Sequence, residues 1–184
     1  MTFAIIIIVA IAIVAVVGFI LYTRMQGKKH TGELKDRFGT EYDRTVQTAD
    51  NRKQAERELD NRQKRVEKFD IKPLPDTQRA DYVERWRTIQ VRFVDDPQGV
   101  VREADSLVNN VMNARGYPMA TWQQRAADVS VDHPQVVANY RAAHEISQGM
   151  EAGRATTEQL RQAMVHYRTL FEDLLAPDAV AAAR

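Results

Sequence analysis

The chain has 184 residues, with 26 Lys+Arg against 25 Asp+Glu and a formal net charge of +1. Cysteine is absent, which excludes disulfides and thiolate chemistry. Acids are interspersed among the bases, so no continuous cationic stripe forms and no nucleic-acid partner is expected.

Phe3 to Tyr22 is an apolar run without charge or proline and with one glycine, Gly18. At 1.5 Å per residue it measures about 30 Å as a helix, the thickness of a bilayer's hydrocarbon core. Residues 1–23 therefore read as a transmembrane anchor. A cleaved signal peptide would need a basic start and a shorter apolar core. Only Met1 and Thr2 precede the run, while Arg24, Lys28 and Lys29 follow it. Cations beside a span stay in the cytoplasm, which makes this a single-pass protein of the cell membrane with its N-terminus outside and residues 24–184 in the cytoplasm. Residues 24–32 read as a basic juxtamembrane linker, loosened by Gly27 and Gly32, with Arg24, Lys28 and Lys29 at the lipid surface. Residues 24–72 carry 14 Lys+Arg and 10 Asp+Glu, and residues 73–184 carry 12 and 15, so the half nearest the bilayer is the basic one.

Residues 33–72 read as a stalk helix. Leu34, Phe38, Tyr42 and Val46 recur every four residues, one stripe of a helix. Between Gln47 and Glu58 the only apolar side chains are Ala49 and Ala55, so the middle should be wet and held by pairs such as Glu58–Arg62 and Asp60–Lys64. A continuous helix from Glu33 to Asp70 would be about 57 Å long. Phe38, Tyr42 and Val46 are then candidate partner-binding residues. Replacing Phe38 and Tyr42 by alanine should weaken a complex while leaving the rest of the fold nearly unchanged.

Pro73 and Pro75 stop the stalk, and residues 73–176 read as an antiparallel helical bundle. Tyr82, Trp86, Ile89 and Phe93 mark a helix from about Asp76 to Val94. Asp96 with Pro97 starts the next helix, which Gly116 ends. A short helix holds Trp122, Ala126 and Val129. Asp132 or His133, with Pro134 at the first helical position, should start the helix of Val136, Val137, Tyr140 and Ala143. Thr156 and Gln159 form a capping box for a last helix bearing Leu160, Met164, Tyr167, Leu170, Phe171 and Leu174. Residues 177–184 read as a flexible tail. No segment alternates as a strand does, so the fold class is all-α: an N-terminal transmembrane helix, a long charged stalk helix, then the bundle.

Chemistry-bearing motifs are few. There is no glycine-rich phosphate loop and no nucleophile elbow. His144-Glu145 begins a zinc-helix pattern, but position 148 is Gln rather than His. His144, His166 and Glu145 are weak metal candidates if the last two helices are antiparallel neighbours. Tyr140, Arg141, His144, Tyr167 and Arg168 could converge either as a pocket or as a buried polar network. Five motifs taken together are Arg37-Phe38-Gly39-Thr40-Glu41-Tyr42, Arg92-Phe93-Val94-Asp95-Asp96-Pro97, Ala114-Arg115-Gly116-Tyr117-Pro118, Ser130-Val131-Asp132-His133-Pro134 and Asn139-Tyr140-Arg141-Ala142-Ala143-His144. In these the chain resembles a group of bacterial proteins, common in high-GC genomes, with one N-terminal span and a helical soluble domain. The resemblance implies that architecture and no particular activity. The expected function is that of a membrane-anchored cytoplasmic scaffold or protein-interaction module, non-enzymatic and without a cofactor. Its partners would be the lipid bilayer and either another protein or a copy of itself. The alternative is a ligand- or metal-binding sensor or enzyme using a pocket near Tyr140, His144 and His166.

Overall fold

The computed structural model describes Gly18 and residues 25–176, and every regular element among them is a helix. Residues 25–38 form α1. There follow α2 (Thr40–Thr48), α3 (Arg52–Val66), α4 (Asp76–Val91), α5 (Pro97–Arg115), α6 (Trp122–Asp132), α7 (Val137–Glu151) and α8 (Thr157–Leu175). Among the described residues no helix is long and apolar enough to cross a membrane. Apart from Gly18, the apolar run 3–22 lies outside them, as do Arg24 and the tail from 177.

The stalk is not one helix. Gly39 adopts φ 50° and ψ −126°, a backbone shape that residues with a Cβ avoid, and the chain reverses there. A second reversal at residues 49–51 ends in Asn51, whose side chain accepts from the Gln54 amide at 3.0 Å. Residues 33–72 therefore fold up, down and up again. In the antiparallel pair α2–α3, Glu41 meets Arg62 and Tyr42 meets Glu56. α1 and α3 run side by side in the same direction: Lys28 and Thr31 lie beside Arg52, Lys53 and Glu56, and Glu33 and Arg37 lie beside Asp60, Lys64 and Glu67. The stripe that should have lain on a wet stalk is the core of this unit, where Leu34, Phe38, Tyr42, Leu59 and Val66 pack with Val131 of α6. Gly27 and Gly32 lie within α1, so the segment after Arg24 is helical rather than a flexible link.

The larger core holds the bundle. α8 lies between α5 and α7, α4 covers α5, and α6 joins α7 to α3. Trp86 stacks on Phe171 with ring centroids 4.7 Å apart, pinning α4 to α8. The sequence-legible caps are present. Asp96 accepts from the Gly99 amide at 2.9 Å with Pro97 behind it, and Thr156 and Gln159 close a capping box. Pro134 does not start α7. Residues 134–136 form a turn, α7 begins at Val137, and His133 ends α6 and pairs with Asp173 of α8. α4 stops at Val91, three residues before the expected end, because residues 92–95 turn the chain into the Asp96 cap.

Gly116 ends α5 at φ 100°, and a Cβ built there would lie 2.4 Å from the Asp70 carbonyl oxygen. The close approach lets the Lys72 amide donate to the Arg115 carbonyl at 2.9 Å, which ties the segment between α3 and α4 to the end of α5. Gly116→Ala should lose more than about 1 kcal/mol for the left-handed backbone alone. It should cost clearly more than Gly153→Ala, where φ is 67° but nothing lies within 4 Å. Equal falls in melting temperature for the two variants would remove the Asp70 contact from the explanation.

Candidate functional site

The polar residues of α5, α7 and α8 converge as a network rather than around a cavity. Tyr167 donates to Asp105 Oδ1 at 2.9 Å, and Asn109 donates to Asp105 Oδ2 at 3.0 Å. Tyr140 in turn donates to Asn109 at 3.2 Å. Both phenols are fully buried, and burial is the main reason their pKa values rise above the ordinary range for tyrosine. Each hydroxyl serves the helix register, since leaving it unpaired in an apolar core would cost about 1–3 kcal/mol.

His144 lies outside that network. Its ring stacks on Trp122 with centroids 3.9 Å apart, and its Nε2 is 3.1 Å from Gln148 Nε2. Burial holds its pKa below the usual value. His166 instead bonds Asn139 through Nδ1 at 2.8 Å, and Glu145 is exposed. The three weak metal candidates thus have separate surroundings. Among the described residues no group of three or more His, Cys, Asp or Glu could hold a metal ion. Arg168 is exposed and pairs with Glu172 at 2.7 Å.

Arg141 belongs elsewhere. Its Nη2 reaches Glu41 at 2.6 Å, and Arg62 donates to the same carboxylate at 2.9 Å. Arg44 approaches at 3.7 Å from the solvent side. The Glu41 side chain is 2% exposed, so one buried carboxylate joins α2, α3 and α7. Burial pulls the Arg141 pKa down, and Glu41 opposes that shift. A similar knot sits near the start of α3. Burial raises the Glu56 carboxyl, but hydrogen bonds from Arg52, Thr31 and Tyr42 outweigh it and hold the pKa below the usual range.

Phe38 is fully buried, Tyr42 is 3% exposed and Val46 packs against the same core, so the candidate docking stripe faces inward. The exposed apolar side chains lie elsewhere. Val91 and Val94, at the end of α4 and in the turn after it, are 77% and 89% exposed. Beside them an open groove of about 610 Å³ runs between α4 and α5. Ile89 and Leu107 lie along it, with Arg85, Arg92, Glu84 and Glu103 as charges of both signs. The stripe rule missed these two valines because α4 buries only Trp86 and Ile89. The available signal was Val91 and Val94 lying off the Tyr82–Phe93 stripe.

Comparison of the chain with family models, curated proteins and solved structures found no match.

Proposed function

We propose that the chain is a membrane-anchored scaffold that engages protein through the α4–α5 face, without catalysis. The apolar run Phe3–Tyr22 supports the anchor, and Arg24, Lys28 and Lys29 support a cytoplasmic body. The observation that carries the docking face is the pair of exposed valines, Val91 and Val94, next in sequence to Arg92, which lines the groove. Exposed apolar side chains near a groove of mixed charge mark an interaction surface.

The occupant this face fits is a second copy of the chain. A two-fold interface lays the same patch on itself, so a patch of one sign would repel its copy. Here Arg85 and Arg92 sit beside Glu84 and Glu103, which is self-complementary. Anchoring to one bilayer raises the effective concentration of copies further.

The chain contains no cysteine, which makes the test direct. Val94→Cys in native membranes should give a disulfide-linked dimer on mild oxidation. Arg161→Cys, exposed on α8, should not. No dimer from Val94→Cys, or equal dimer from both variants, would remove the self-association. A covalent adduct with one different protein at Val94 alone would keep the face and change its occupant.

A further inference from the structure

The up-down-up folding of α1, α2 and α3 has a result that the linear sequence hides: it returns residues 52 and 53 to the level of residues 25–31. Arg52 Nη2 donates to Thr31 Oγ1 at 2.5 Å, one helical turn beyond Lys28. An open groove of about 770 Å³ lies between the two helices, lined by Met25, Lys28, Thr31, Arg52, Lys53 and Glu56. Lys28, Arg52 and Lys53 are exposed on its rim, and Met25 is 72% exposed at its end.

We propose that this groove seats anionic phospholipid headgroups of the leaflet in which the chain is anchored. The inference rests on the anchoring read from Phe3–Tyr22. Lys28 lies six residues beyond Tyr22, and six residues of helix would rise about 9 Å. The headgroup layer is about 5–7 Å deep on each side, and the Debye length at physiological salt is about 8 Å. The groove is therefore at the depth where lipid phosphates are present and unscreened. The acid that lines it is occupied: Glu56 turns inward to Thr31, Tyr42 and Arg52. Glu33, further along α1, pairs with Lys29 at 3.9 Å. Asp50, in the neighbouring turn, is the exposed acid nearest in sequence. Lys28 and Lys53 make no ion pair among the described residues, and both remain available to phosphate. Met25 supplies an apolar side chain toward the acyl boundary, and the cations supply the charge, which is the division of labour a lipid-facing surface needs.

The test uses the full chain in nanodiscs of phosphatidylcholine, with and without phosphatidylglycerol, followed by hydrogen exchange. Backbone amides of residues 49–56 should exchange about fivefold more slowly for each cation engaged by anionic lipid. The protection should vanish in 0.5 M salt and in the Lys28→Gln/Lys53→Gln double variant. Neither of those lysines has a structural ion pair, so that variant should keep its helicity and its melting temperature. Equal exchange in both kinds of disc would overturn the inference while leaving the anchor standing. Protection produced equally by inorganic phosphate added to phosphatidylcholine discs would overturn the lipid assignment. A chain that stays soluble and outside the discs would overturn the anchor itself, and the inference with it.

Discussion

Replacing Glu41 by alanine should destabilise the folded chain by about 3–5 kcal/mol, because it leaves the buried Arg141 guanidinium without its carboxylate and leaves Arg62 only Glu58, at 3.0 Å. The Arg62 and Arg141 side chains are 10% and 11% exposed, so water cannot replace Glu41. Arg44→Ala touches the same carboxylate from a side chain 47% exposed and should cost less than about 1 kcal/mol. Thermal melts followed by circular dichroism, with the full chain in one detergent throughout, separate the two. The first variant should melt about 6–20 °C lower and the second within about 4 °C of the parent. Similar small shifts for both would mean that the buried carboxylate does not hold α2 to α7.

Phe38→Ala should also cost about 3–5 kcal/mol. This reverses the expectation drawn from the stripe alone, in which Phe38 faced a partner and its loss left the fold nearly unchanged. Phe38 has no exposed surface and packs with Leu34, Leu59, Val66 and Val131, so its removal opens a cavity between the hairpin and α6. The surrounding helices are tied at Gly39, at Glu41 and by the Arg65–Asp128 pair of α3 and α6 at 2.7 Å, which limits how far they can collapse into it. A loss below about 1 kcal/mol in the same melts would show that α1 is not packed on the bundle.

The all-α character and most helix ends were legible because local signals set them. Asp96 with Pro97, Gly116 at a left-handed end, and Thr156 with Gln159 each act within one turn of the chain. The last helix was equally plain, since Leu160, Leu170, Phe171 and Leu174 all fall on one buried face. The break at Gly39 was hidden by periodicity. Phe38 and Tyr42 keep a spacing of four across the reversal, so the pattern of one helix and that of a hairpin are the same at that point. The polar residues 47–58 read as a wet middle because half of them form the turn and the exposed start of α3.

The candidate site was less legible, for a different reason. Tyr140 and Tyr167 were singled out, and both are in the polar network, but its centre, Asp105, gave no local sign of its role. Glu41 has three arginines around it, and two of them are 21 and 100 positions away in sequence. No spacing rule reaches that far. The groove beside Lys28 has the same character, because Arg52 and Lys53 join it only after the chain reverses twice.

The long span between Glu41 and Arg141 also fixes an order in time. A ribosome adds about 5–20 residues per second, so roughly 5–20 s pass between the synthesis of the carboxylate and that of its second guanidinium. For most of that interval Leu34 and Phe38 lack Val131, which is made late as well. The earliest hydrophobic part of the body therefore stays open until α6 has been made. A nascent chain stalled before residue 131 should be cut by protease within residues 33–66, and the full chain after release should resist.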